Sequence, residues 1–210
     1  LGQIIGASGR SIAFHQNVST LIHSVLGTFD WTSSRNEVLI SELTFPTLKY
    51  CLEALKGTGI HFIRVPSRDG IGHDPSDFTS LITARTALVL LDHGIYRSSA
   101  LIDIPPIVKV AHQHGARVLA DTYQTAGMYP LSVTDWGVDF AVGGSHKWLC
   151  GGPGASYLYV RPDLLGTLRP QLYGWMAQQE IFEFTPDVQP ADDARAFMTG
   201  TFGIPSLYAA

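Results

Sequence analysis

Short, nearly uninterrupted apolar runs restrict this chain to few architectures. Thr86 to Leu91 (TALVLL), Arg117 to Asp121 (RVLAD) and Phe140 to Gly143 (FAVG) are strand-sized and do not alternate polar with apolar positions. Strands of that kind are buried on both faces, the condition of a mostly parallel sheet covered by helices. Helix-period segments lie between them. Ser19 to Phe29 places Leu21, Ile22, Val25 and Leu26 on one face, with Ser19 or Thr20 as N-cap. Pro46 to Lys56 is a helix stopped by Gly57 and Gly59, and Asp74 to Ala84 one with Pro75 in its first turn. Ile104 to His114 is a helix ended by Gly115. Glu37 to Ser41 and Ile60 to Val65 are further strands, and Ala155 to Val160 is the last, with an antiparallel setting expected. The expectation is an α/β fold. Right-handed crossovers then put ligands beyond the carboxyl ends of the strands, where Asp92, His93, Asp121 and the Ser145-His146-Lys147 turn fall.

Composition excludes more than it selects. A length of 210 residues, 45% of them hydrophobic, suits one large domain. With a net charge of −4 and no basic stripe, nucleic acid and anionic membranes are not expected partners. Cys51 and Cys150 make neither a disulfide framework nor a metal pair, so a reducing, cytoplasmic setting is the default. No apolar run approaches the roughly 18 residues of a membrane span. The chain opens at Leu1 without Met and stops at Tyr208-Ala209-Ala210, which reads as the start of a helix after Pro205, so both ends read as cut from a longer protein. Gly166 to Ile204, rich in Pro, aromatic and charged residues, reads as a connector toward another domain.

The stretch from Asp121 to Gly154 carries the chemistry. A carboxylate ends one apolar strand, and a lysine follows the next in a glycine-bracketed turn. An acid and a lysine on rigid strand ends is the arrangement pyridoxal 5'-phosphate (PLP) chemistry needs. The lysine carries the cofactor as a Schiff base, and the acid keeps the pyridine nitrogen protonated so that the ring accepts electrons. Alone, Lys147 reads as a surface lysine and Asp121 as the cap of the turn from Thr122 to Gly127; together they point to the cofactor. Gln124, three residues past Asp121, would reach the phenolic oxygen if its segment is helical. Asn17-Val18-Ser19-Thr20 opens a helix with the amides and hydroxyls that phosphate binds, beside its role as an ordinary N-cap. His146 is a second phosphate candidate. Phe45, before Pro46, is either a core aromatic or the ring that covers one face of the pyridine.

These motifs resemble the class V aminotransferase-type PLP enzymes of fold type I, over roughly Ser11 to Tyr208. Asp121-x-x-Gln124 and Ser145-His146-Lys147 are similar to the family's pattern. Trp136 to Phe140, Gly151-Gly152-Pro153-Gly154, Gly174-Trp175 and Phe45-Pro46-Thr47 look like its kynureninase branch. The resemblance implies a largely seven-stranded, mostly parallel sheet with helices on both faces. It implies a PLP-binding large domain over residues 1–165, and over 166–210 a connector and remaining large-domain segment leading to a small C-terminal domain absent from this sequence. Lys147 and Asp121 become catalytic, and Val18, Ser19, Phe45, Gln124, His146, Trp175 and Thr201 cofactor-binding, with Thr201 reaching the phosphate of a neighbouring subunit. Active sites would then form at a homodimer interface and act on an amino acid. Kynureninases usually carry His at 124, Tyr at 146 and Asn at 201. There the chain is more similar to aminotransferases and cysteine desulfurases, so transamination, hydrolysis and sulfur removal stay open, beside a non-catalytic PLP-binding member and an unrelated nucleotide-binding domain.

Overall fold

The computed structural model describes residues 1–209. Its centre is one seven-stranded sheet built from β1 (Ile12–His15), β2 (Glu37–Ser41), β3 (His61–Val65), β4 (Thr86–Asp92), β5 (Arg117–Asp121), β6 (Phe140–Gly144) and β7 (Ser156–Val160). The order is β1-β7-β6-β5-β4-β2-β3, with β7 antiparallel to both its neighbours and the other pairings parallel. This is the expected α/β architecture. The antiparallel last strand is also as read: residues 145–155, which join it to β6, form turns and no crossover helix.

Burial explains the uninterrupted apolar strands. In β4 every residue from Thr86 to Asp92 is buried. Leu88 and Leu90 point into one core layer with Leu21, Ile22, Val25 and Leu26 of α2 (Val18–Leu26) and Leu48 and Leu52 of α3 (Pro46–Glu53). Val89 and Leu91 point into the other, with Phe78 of α4 (Pro75–Thr79) and Ile104, Ile107 and Ala111 of α5 (Ile104–Gln113). Successive side chains on a strand face opposite ways, so a strand covered on both sides must be apolar at every position. α1 (Gly2–Ile5) and α6 (Val133–Trp136) add Ile5 and Val133 to the second layer.

Several boundaries differ from the sequence reading. Asn17, rather than Ser19 or Thr20, caps α2: its Oδ1 accepts from Thr20 N–H at 2.9 Å. α3 ends at Glu53 and α4 at Thr79, each passing into tighter turns before the next strand. β1 escaped sequence reading because four residues are too few to show a period; it is recruited by pairing with β7. The segment after 166 has little regular structure, yet Ala194, Ala196, Phe197 and Met198 are buried in the first core layer. Its final helix, α7, spans Ile204–Tyr208. Among the described residues no helix is long and apolar enough to cross a membrane.

The chain runs from β2 outward to β3, then returns past β2 to start β4 and proceed the other way. The strand order therefore reverses between β2 and β4, and an open α/β sheet leaves a crevice at the carboxyl ends beside such a point.

Candidate active site

A cavity of about 200 Å³ lies at that edge, lined by Asn17, Val18, Ser19, Phe45, Thr47, Asp92, Tyr96, Asp121, Tyr123, Gln124, His146 and Lys147. Seven of the nine residues singled out from the sequence meet there: Val18, Ser19, Phe45, Asp121, Gln124, His146 and Lys147. They come from α2, the start of α3, the end of β5 and the turn after β6. Trp175 and Thr201 do not line it. Trp175 packs against Phe182 and Phe184, with ring centroids 6.1 and 6.0 Å away, and Thr201 is exposed.

Lys147 is half-buried, its Nζ 5.6 Å from the centroid of Phe45 and 5.1 Å from that of Tyr123. Tyr123 Oη and His146 Nδ1 are hydrogen-bonded at 2.6 Å, which joins the turn after β5 to the turn after β6. Gly144 permits this, since a Cβ there would collide with the Tyr123 ring. Gln124 sits in a helical turn whose Ala126 N–H bonds the Thr122 carbonyl.

Asp121 and Asp92 are direct register partners at the ends of β5 and β4. Asp121 Oδ1 accepts from Tyr123 N–H at 2.8 Å. Asp92 has only a long 3.5 Å contact from Phe45 N–H, and its Oδ2 is buried without a partner. Burial, and then the Asp92 charge, push Asp121 up to about 7; burial likewise pushes Asp92 up to about 6. Among the described residues neither is in an ion pair. Asp139 makes the contrast: equally buried, it is bound by Arg161 at 3.1 Å, His112 at 2.8 Å and Val118 N–H at 2.8 Å. Asp139 is a structural carboxylate with its charge answered inside the fold, whereas Asp92 and Asp121 leave theirs facing a cavity. His93, the other strand-end candidate, is structural: its Nδ1 bonds Thr125 Oγ1 at 2.8 Å, and burial holds it neutral with a pKa near 4.

The cavity's chemistry fits PLP. Two buried carboxylates that form no ion pair among the described residues suit a protonated pyridine nitrogen, and Phe45 and Tyr123 offer aromatic faces. The Val18 and Ser19 amides begin α2 and by helix geometry lack an intrahelical acceptor, so with His146 they can meet a phosphate. Sequence reasoning missed Tyr123, Tyr96 and Thr47, and noted Asp92 only by its position. The signal for Asp92 was present, since an acid ending a fully apolar strand is what singled out Asp121. Thr47 stood in the Phe45-Pro46-Thr47 motif without a role of its own, and Tyr96 gave no signal.

Fold and site together define a fold-type-I PLP protein. The sequence profile described as Aminotransferase class-V matches residues 1–210, and the chain belongs to that family. It is 31% identical over 208 residues to the uncharacterized aminotransferase YcbU of Bacillus subtilis, covering 99% of this chain and 54% of that protein. It is 32% identical over 216 residues to a kynureninase of Geobacillus thermodenitrificans, with 99% and 50% covered. The chain thus spans about half the length of the curated relatives it matches. Among solved structures it is similar to the cystine C–S lyase C-DES in complex with cysteine persulfide, with a TM-score of 0.86, 25% identity, and 98% of this chain and 55% of that one covered. A variant of that lyase, with a TM-score of 0.87, 24% identity and the same coverage, has glycine covalently linked to its PLP cofactor. Family and cavity agree on PLP as the cofactor.

Proposed function

We propose that the protein is a PLP-dependent enzyme acting on an amino acid, with Lys147 as the covalent anchor of the cofactor. What carries this reading is the convergence of Lys147, Asp121 and Phe45 on one cavity at the sheet's switch point. When bound, PLP supplies an electron sink for the substrate's α-carbon. The chain's own residues supply the rest. Lys147 would hold the cofactor through Nζ and serve as the base that moves the substrate's α-proton. Asp121 would keep a proton on the pyridine nitrogen, and Gln124 would donate to the phenolic oxygen without competing for that proton. Val18, Ser19 and His146 hold the phosphate, and Phe45 covers one ring face.

A homodimer with active sites at the interface would account for Thr201 lying outside this chain's own cavity: Thr201 would serve the neighbouring subunit. The two free cysteines, Cys51 buried and Cys150 exposed, suit the cytoplasm. A second reading, a desulfurase-like lyase, is favoured by Gln124 and His146, which differ from the residues usual in kynureninases. The complete protein purified with PLP should be yellow, and borohydride reduction with peptide mapping should place the label on Lys147. Label elsewhere, or none, would end the reading.

A further inference from the structure

A second cavity of about 300 Å³ adjoins the first and shares Tyr96 with it. The segment Thr44 to Thr47 is the partition: Thr44 and Pro46 line the second cavity, Phe45 and Thr47 the first. The Tyr96 ring stands edge-on to Phe45 at 5.2 Å.

The wall of this second cavity has an unusual charge for an acidic chain. Lys49, Arg64 and Arg97 line it against one carboxylate, Glu42, and among the described residues none of the three cations is in an ion pair. Glu42 is turned to the backbone, its Oε1 accepting from Ser67 N–H at 2.5 Å. Arg97 lies over the Tyr96 ring, its Cζ 5.3 Å from the centroid, so the guanidinium is set beside the shared wall. Three cations from three separate elements, α3, β3 and the loop after β4, converge only in the folded chain. A concave site of one sign concentrates ions of the other, and guanidinium groups match a carboxylate through paired hydrogen bonds.

We infer that this second cavity is a subsite for an anionic side-chain terminus of the amino-acid substrate, a carboxylate or similar oxyanion, held by Arg64 and Arg97 with Lys49. This rests on the proposed PLP chemistry and adds a substrate class to it. The α-carboxylate needs its own partner elsewhere, so the substrate would be acidic at both ends.

The test uses the complete, PLP-loaded protein and follows the visible absorbance of the bound cofactor. L-Aspartate, L-glutamate and L-2-aminoadipate are titrated against the corresponding side-chain amides. At least one acid should bind about tenfold or more tightly than its amide, the scale of a charge-assisted hydrogen bond. Arg64→Gln with Arg97→Gln should abolish that preference while leaving the amides' binding unchanged; both positions are exposed, so folding should survive. Equal binding of acids and amides, or a preference that outlasts the double substitution, overturns the inference while the colour persists. A protein that takes up no cofactor overturns the underlying reading as well.

Discussion

Asp92 offers the sharpest check on the site's electrostatics. It is buried beside Asp121, has no counter-ion among the described residues, and is displaced by burial from the ordinary aspartate value of 3.8 to about 6. A carboxyl group with a raised pKa in the folded state costs nothing below pH 3.8, where it is protonated folded and unfolded alike. The cost grows as pH rises toward 6 and is complete above it. A displacement of about two pH units corresponds to about 3 kcal/mol. Asp92→Asn keeps shape and removes the charge. In the cofactor-free complete protein it should be indistinguishable from the parent near pH 3.5. By pH 8 it should be more stable by up to about 3 kcal/mol, which is on the order of 1 M in urea midpoint. Relieved of its neighbour, Asp121 should also titrate lower. Urea unfolding curves at intervals from pH 3.5 to 8 measure this directly. A midpoint difference that does not change with pH, or a variant less stable at pH 8, would refute the reasoning.

Other substitutions probe separate links. Asp121→Asn should retain bound PLP but lose turnover by orders of magnitude, since a neutral amide cannot hold the ring nitrogen protonated; steady-state kinetics on an accepted amino acid would reveal unchanged activity if the role is wrong. Gly144→Ala should push the Tyr123 ring aside and break its bond to His146, weakening PLP binding in an equilibrium titration with little loss of secondary structure by circular dichroism. Gly143→Ala meets the buried Tyr157 ring instead, and should cost about 1–3 kcal/mol in denaturant unfolding without a specific effect on the cofactor. Phe197→Ala should cost about 3–5 kcal/mol, because the side chain is 2% exposed and helps close the first core layer. A near-neutral result there would mean the segment after 166 does not belong to the domain's core.

Much of this protein is written locally. A strand buried on both faces has to be apolar throughout, so Thr86 to Leu91 and Arg117 to Asp121 announce a covered parallel sheet without any long-range information. A carboxylate ending such a strand is costly to bury and hence conspicuous, which is why Asp121 stands out; Lys147 stands out only with it, from the glycine-bracketed turn that follows the next strand. Other features depend on chain segments far apart meeting. Ile12 to His15 is a strand because β7 pairs with it, and Phe197 is core because β1 and α2 offer it a surface. The pairing of Asp92 with Asp121 depends on strand register, and the meeting of Lys49, Arg64 and Arg97 on where the strand order reverses. Sequence determines which residues must be dry and which are expensive to bury; only the tertiary fold decides which of those charges face one another across a cavity, because Coulomb and desolvation energies act through space rather than along the chain.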